Sequence, residues 1–560
     1  MLPGSAPQGE RDNIPQVRAD TMLRLSNLKT NIHTNTEALL QLTAKKLRVP
    51  PNELTHFKIA KKSIDSRDRN NIRAVYSVDF TIAQTRLRAR ILRDRNVSEV
   101  TDREYCIPAS RASTAVSASA RPVIVGAGPA GLFAANVLAM AGLAPVVLER
   151  GQTVAQRSQD VEDFLGQRIL HNDSNVQFGE GGAGTFSDGK LTTGIRDERI
   201  GFVLRTLVEC GAPHEITYLA KPHIGTDKLA SVVGNLRSRA EALGAQFIFG
   251  AKFYDFETAG GRLARICYVD AGGQAHYINT PALLLAIGHS ARDTVETLFA
   301  RGIHMLPKPF AVGVRIEHSQ CMIDTTQYGK FAGDPALGAA SYKLSHRLDC
   351  GRGVYTFCMC PGGTVVGAAS EPGGVVTNGM SRYSRALENA NSALLVSVTP
   401  ADFGAVGALA GIEFQRNLEH RAFALGGSNY NAPVQLVGDF LANKPTRTLG
   451  HINPSYRPGT TPANLADCLD PFITDALRTG LLAMNKKIAG FAHPEAVLTA
   501  VESRSSSPVV IVRDPDGLQA SISGIFPCGE GAGYAGGIIS AAVDGIRSAE
   551  KIMTIHTKYS

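Results

Sequence analysis

A short apolar run from Arg121 to Val125 opens directly into Gly126-Ala127-Gly128-Pro129-Ala130-Gly131-Leu132, and few folds admit that order. The apolar periodicity continues through Phe133, Ala134, Ala135, Val137 and Leu138 as a helix. A second short strand, Pro145 to Leu148, then ends at Glu149. In such a βαβ unit the first glycine permits the tight turn, the second lets the backbone approach a pyrophosphate, and the third lets helix and sheet pack closely. The helix N-terminus offers unpaired N–H groups to the phosphates. Glu149, at the second strand end, can accept bonds from both ribose hydroxyls and would repel a 2′-phosphate. NAD and FAD both satisfy this unit.

The case for FAD comes from later segments. Gly524 to Ile538 contains Cys528-Gly529-Glu530-Gly531-Ala532-Gly533-Tyr534-Ala535-Gly536-Gly537-Ile538 and leads into an Ala-rich helix over about 539 to 552. A strand, a glycine turn and an amide-presenting helix can hold the far side of an extended cofactor, which a simple NAD dehydrogenase does not need; a plain helix-packing seam is the alternative. Between the two glycine systems, Pro281 to Ser290 reads as a buried strand returning the chain to the nucleotide domain and ending at Gly288 and His289 by the cofactor, where His289 either bonds the cofactor edge or is a solvated loop histidine.

At 560 residues the chain is long enough for two or three domains. Leu23 to Leu28 reads as a strand, Thr36 as the cap of a helix over 37 to 49, and Ile72 to Ile82 as a half-buried strand. The expected class is α/β: a Rossmann-type FAD-binding domain interrupted by a substrate or insertion domain and preceded by a small α+β domain. The boundaries are a small domain over 1–100, a linker or strap over 101–120, a first FAD-binding part over 121–220, a return segment with β elements over 221–280, and a strand end with helix over 281–300. An inserted substrate domain follows over 301–495, and 496–560 closes the FAD-binding domain. The formal charge of +8, spread over so long a chain without interleaved aromatics, argues against nucleic acid. Arg86 to Arg95 reads as a strand or short helix with a solvated face, and secondarily as a surface that steers an anionic partner. Nine scattered cysteines, no signal-like segment and no apolar stretch long enough for a membrane predict a cytoplasmic protein. Oligomeric state is not legible.

Three further segments carry a resemblance: Phe178 to Leu191 (FGEGGAGTFSDGKL), Phe357 to Gly363 (FCMCPGG) and Thr377 to Ser381 (TNGMS). With the glycines, Glu149 and the Gly529-Glu530-Gly531 ending, the chain resembles the bacterial FAD-dependent dehydrogenases, also labelled NAD(FAD)-utilising dehydrogenases, within the two-dinucleotide-binding-domain flavoproteins. The likeness spans nearly the whole chain and includes Lys62 to Arg67. It implies non-covalent FAD and a redox fold without a substrate. By the same resemblance Gly126, Gly128, Gly131 and Glu149 hold the adenosine and pyrophosphate half, with Ala130 beside them and Arg150 flanking the adenine. Gly529, Glu530 and Ala532 lie by the pyrophosphate and ribityl chain, and Gly537 and Ile538 by the flavin.

The loop at 178–191 costs chain entropy, which favours a backbone-approach task for Gly182, Gly184 and Ser187 at the cofactor or substrate; a structural turn is the alternative. Candidate catalytic groups are Lys190, for negative charge on flavin or substrate, the thiols Cys358 and Cys360, and Arg504. If 358–360 is a strand, both thiols face one side; ordinary packing cysteines are the competing reading. Arg504 either meets an anionic group or joins a salt-bridged seam, and Lys308 and Arg315 carry the same ambiguity. Met380 to Leu395 reads as a helix beneath the cleft. No metal site is expected. The leading function is FAD-dependent oxidoreduction of a small molecule, with NAD(P)H as a transient co-substrate. An FAD-containing RNA-modifying enzyme and a flavin-stabilised scaffold or sensor are the alternatives.

Overall fold

The computed structural model describes residues 21–101, 104–108, 120–182, 188–404 and 407–559, the side chains of the last few excepted. It divides into a smaller unit, 1–103 with 218–220, and a larger one, 104–217 with 221–560.

The smaller unit runs β1 (Leu23–Thr30), α1 (Thr36–Leu47), β2 (Thr55–Asp65), β3 (Arg73–Thr81), α2 (Thr85–Ile91) and β4 (Val97–Glu99). Its sheet has the order β2-β3-β1-β4 with every pairing antiparallel, the split β-α-β arrangement of ferredoxin-like domains. Alternation along β1 and β3 buries Leu23, Leu25, Val78 and Phe80 against Leu39, Leu47 and Ile91 of the two helices. Asn35, rather than Thr36, caps α1: its side chain accepts from the Ala38 amide at 2.9 Å. The Arg86 to Arg95 stretch begins as the helix α2.

The larger unit opens with β5 (Val123–Val125), α3 (Pro129–Met140), β6 (Val146–Glu149), α4 (Val154–Gln167), α5 (Arg199–Glu209), α6 (Thr226–Ala242) and β7 (Gln246–Phe249). A three-stranded antiparallel sheet of β8 (Lys252–Ala259), β9 (Arg262–Val269) and β10 (Ala275–Asn279) precedes β11 (Leu283–Leu285) and α7 (Arg292–Ala300). The strands β5, β6, β7 and β11 join the late β23 (Ile525–Pro527) in one parallel sheet of order β23-β11-β5-β6-β7. Its central strands are apolar runs because both faces are covered, one by helices that include α3, α6 and the last helix of the chain and the other by the β8–β10 sheet with α7. The last helix, α12 (Ile538–Tyr559), packs on α3, and Gly545 allows the approach because a Cβ there would collide with the Ala130 carbonyl.

Between α7 and β23 lies a β-rich region. Here β12 (Met305–Pro307) pairs with β22 (Val509–Ile511) at its base. Above them stand β13 (Phe310–Ser319), α8 (Gln320–Tyr328), β14 (Ser345–Arg347), β15 (Gly353–Cys360), the pair β16 (Thr364–Gly367) and β17 (Thr377–Met380), and β18 (Asn389–Val398). These are followed by α9 (Ala410–Leu425), β19 (Ala432–Leu436), α10 (Val437–Leu441), β20 (Thr460–Pro462), α11 (Pro471–Asn485) and β21 (Val497–Glu502). Seven strands form one sheet of order β14-β15-β18-β13-β21-β19-β20. Because β21 sits inside that sheet, the region runs to Glu502, past the boundary at 495 read from sequence.

Two local expectations fail. Met380 to Leu395 is not a helix: Asn389–Val398 is a strand flanked on both sides, buried along almost its whole length, whose Ala and Leu content mimics a helix. The two thiols do not share a face. A bulge between Phe357 and Cys360, with Cys358 at φ 42°, leaves Cys358 exposed and Cys360 buried. Among the described residues, no helix is long and apolar enough to cross a membrane, and no group of three or more His, Cys, Asp or Glu could hold a metal ion.

Candidate functional site

The turns leaving β5, β11 and β23, and Glu149 closing β6, all gather at the carboxyl edge of the parallel sheet, where open α/β sheets bind their ligands. Gly126 takes φ 100°, and a Cβ on it would strike the Ala286 carbonyl, so the turn after β5 closes only with glycine. Gly128 is the N-cap of α3 with no side-chain cap, and nothing lies within 4 Å of where its Cβ would stand. The helix start therefore faces free space, as anion binding needs. Gly288 and Gly536 also face open space, while Gly531 packs on the Gly288 backbone.

The turn after β23 has a brace that sequence reading missed. The Gly529 amide donates to Asp544 at 2.8 Å, and Asp544 is held by two bonds from Arg513, at 2.7 and 3.0 Å. Arg513 also donates to the Pro527 carbonyl and lies 3.9 Å from the Tyr534 ring centre. Asp544 is the first acid in the Ala-rich helix, the one signal that pointed to it. Within this turn Ala532 and Cys528 are buried, Gly537 has φ 109°, and Lys308 donates to the Gly533 carbonyl at 2.7 Å. Burial raises the Glu530 carboxyl to about 7 against the opposing pull of Lys308, so it can hold or release a proton near neutral pH.

Glu149 is 1% exposed. Its carboxylate accepts from the Ala127 and Gly151 amides, each at 2.9 Å, and from Arg157 at 3.0 Å. Arg157, which sequence reading passed over, is itself fully buried and also donates to the Glu180 and Asn175 carbonyls. Glu149 thus fixes the glycine turn. Arg150 pairs with Asp173 and Asp293 and lies 4.5 Å from the Phe178 ring centre. Ala130 is a packing residue against Gly529 and Gly545. Gly128, Gly182 and Ile538 line one cavity, together with Leu207, Leu229, Val233 and Leu236. Gly184 and Ser187 fall outside the described residues.

Arg504 sits in a buried ion network, the salt-bridged arrangement expected as the alternative to an anionic ligand. Its guanidinium makes two bonds to Glu419, at 3.0 and 2.8 Å, and one to Ser370; Arg292 binds Glu419 and Glu371 alongside. Its side chain is 4% exposed. His289 stands by this network, with Nδ1 2.8 Å from the Ser290 hydroxyl; burial, and then Arg504 and Arg292, push it down to about 3, so the ring is neutral at physiological pH. Glu419→Ala would leave two buried guanidiniums side by side with Glu371 as their remaining carboxylate. It is expected to cost about 3–5 kcal/mol, read by urea denaturation followed by circular dichroism, and a variant as stable as the parent would show the network idle. Burial alone would raise the Glu419 carboxyl, but Arg504 and Arg292 outweigh it and hold it well below its ordinary value of 4.5. This contribution is therefore present above that value and fades as pH falls toward the depressed one.

Lys190 donates to the Met359 carbonyl and lies 3.8 Å from Asp188, which pairs with Arg385. This brings Lys190 to the strand that carries the two cysteines. Arg315 is fully buried and binds Glu502 at 2.9 Å, the Cys358 carbonyl at 2.7 Å and the Cys360 sulfur at 3.7 Å. Close packing raises the Cys358 thiol to about 11, although it reaches the surface, and burial raises Cys360 as well. Both are thiols rather than thiolates near neutral pH.

The open glycines at three strand ends, the uncapped start of α3 and the carboxylate at the end of β6 fit FAD, and together they define a Rossmann-type FAD-binding flavoprotein. Residues 120–162 match the FAD binding domain model, 309–505 the FAD-dependent protein C-terminal domain-like model, and 22–81 a domain of unknown function. A Clostridium beijerinckii protein described as uncharacterized is 45% identical over 532 residues, 95% of this chain and 98% of that one. The chain belongs to the family of that clostridial protein, a family of FAD-dependent proteins. Among solved structures, it is similar to the flavin-dependent brominase Bmp2, at 12% identity and TM-score 0.37 over 78% of this chain and 79% of that one. It is also similar to a flavoprotein/dehydrogenase from Cytophaga hutchinsonii, at 11% identity and TM-score 0.33 over 79% and 78%. Likenesses of this depth carry no reaction over to this chain.

Proposed function

We propose that the protein is an FAD-dependent oxidoreductase, a dehydrogenase or reductase acting on a small molecule, with NAD(P)H as a transient co-substrate. The observation that carries this reading is the convergence of three glycine turns, after β5, β11 and β23, on one sheet edge. FAD, when bound, supplies reversible two-electron chemistry at its isoalloxazine ring. The amides at the start of α3 bind its phosphates, and Glu149 orients the ribose. Glu530 holds a proton near neutral pH at the turn that closes the site. Lys190 supplies a cation for a developing negative charge. Of the two thiols, Cys358 is the one exposed beside Lys190, which supports a place for it in the substrate step.

Purified protein should release FAD, close to one per chain, on denaturation, identified by chromatography. FMN instead, or no flavin after reconstitution, would overturn the assignment. Anaerobic rapid mixing with NADH, NADPH and candidate reduced substrates should bleach the flavin absorbance band, and an inert flavin with every donor would favour a scaffold. Cys358→Ala is expected to slow the substrate half-reaction about tenfold, ~1.4 kcal/mol of barrier, with FAD content unchanged. Cys360→Ala should leave that rate intact. Equal rates for the Cys358 variant and the parent would return both cysteines to packing.

A further inference from the structure

The surplus positive charge is not spread along the chain. Between Thr21 and Thr101 stand sixteen Lys and Arg against seven Asp and Glu, a surplus of nine that exceeds the +8 of the whole protein. The smaller unit therefore carries the basic character, and the rest of the chain is close to neutral.

Within that unit six exposed cations fall at the two helices. Lys45, Lys46 and Arg48 stand exposed at the end of α1, and Arg86, Arg93 and Arg95 stand exposed along and just beyond α2. Arg90 joins the two groups by donating to the Leu47 and Arg48 carbonyls at 3.2 and 2.9 Å. None of the six makes an ion pair with a described residue; the pairs of this unit are Arg24–Asp79, Lys29–Asp65, Arg67–Asp65 and Arg88–Glu99. The Asp94 carboxylate accepts from the Asn96 amide at 2.9 Å and also feels Lys46 and Arg95.

We propose that this helical face of the smaller unit binds a double-stranded nucleic acid through its phosphate backbone, without reading sequence. Six exposed cations without an ion pair to a described residue, at the end of α1 and along and just beyond α2, match a phosphate array, whose binding is driven by counterion release. A protein partner of comparable stability would need an apolar or aromatic centre to the patch. Here Leu42 is the one large apolar side chain exposed in the described part of the unit. Firm attachment to an anionic membrane would need an apolar face beside the charge, which the same observation denies. Single strands are held largely by stacking on aromatic rings, whereas Tyr76 and Phe80 are buried in the core and Phe57 is half-buried. RNA and DNA duplexes share the phosphate chemistry, and the comparison between them identifies the source. The proposal is independent of the redox reading.

The test is fluorescence anisotropy of the full flavoprotein with labelled RNA and DNA duplexes of about 20 base pairs, from about 50 to 200 mM salt. At least one duplex should bind, with log K falling linearly against log salt. The variant K45Q/K46Q/R86Q/R93Q should lower that slope by about 3–4 and the affinity at least about tenfold, with FAD content unchanged. A control with the exposed Lys58, Lys61, Arg69 and Arg73 changed to Gln should stay within about twofold of the parent. If the quadruple variant does not fold, Arg86→Gln and Arg93→Gln should each lower the slope by about one. No binding to either duplex at the lowest salt, equal losses in the two quadruple variants, or tighter binding to phosphatidylserine vesicles or a single strand would each overturn the proposal.

Discussion

Gly128→Val is expected to give a folded protein that purifies without FAD. The backbone at Gly128 sits at φ −74° and ψ −176°, ordinary extended geometry that a β-branched residue adopts freely. Nothing lies within 4 Å of the position its Cβ would take, so the apoprotein loses no packing. The occupied volume is the space through which, on the proposed reading, a pyrophosphate would reach the start of α3. A rise in Kd of at least about a hundredfold, ~2.7 kcal/mol, should appear when apoprotein is titrated with FAD by flavin fluorescence, with an unchanged circular dichroism spectrum. Gly126→Val supplies the contrast. There the positive φ and the Ala286 carbonyl forbid a side chain in any state, and the fold itself should suffer. A Gly128→Val protein that retains FAD as tightly as the parent would move the pyrophosphate elsewhere.

The βαβ unit from Arg121 to Glu149 was legible because every signal in it is local. A strand, its turn glycines and the following helix lie within thirty residues, and Gly126, Gly128 and Glu149 stand where their spacing predicts. What escaped depends on partners distant in sequence or on a single irregular residue. Asp544 braces Gly529 only because Arg513, from another strand end, holds it there. Arg504 looked available to a substrate because Glu419, its partner, lies 85 residues away on α9. The strand at 389–398 is buried on both faces, so it lacks the alternation that announces a half-buried strand, and its Ala and Leu content imitates a helix. Alternation placed Cys358 and Cys360 on one side, and one bulge undid it. The basic unit was hidden by averaging charge over the whole chain, although the count within residues 21–101 was available in the sequence.

Glu149→Ala is expected to damage folding and FAD binding together, and the two effects can be separated. The sequence alone casts Glu149 as a ribose ligand. Its carboxylate, however, neutralises a fully buried Arg157 and accepts from the Ala127 amide of the glycine turn and from the Gly151 amide just past β6. Removing one partner of a buried ion pair costs about 3–5 kcal/mol, a large share of the roughly 5–15 kcal/mol that stabilises a domain. Low soluble yield and an early urea transition should follow. Glu149→Gln combined with Arg157→Leu removes both charges at nearly constant volume and leaves an amide oxygen for the turn. Such neutral replacements recover much of the loss, so this double variant should unfold closer to the parent than Glu149→Ala does. It should still bind FAD weakly, because a single carbonyl oxygen cannot accept from both ribose hydroxyls while holding the Ala127 amide. Recovery of FAD affinity in step with stability would show that Glu149 serves the turn alone, with the ribose held by other groups.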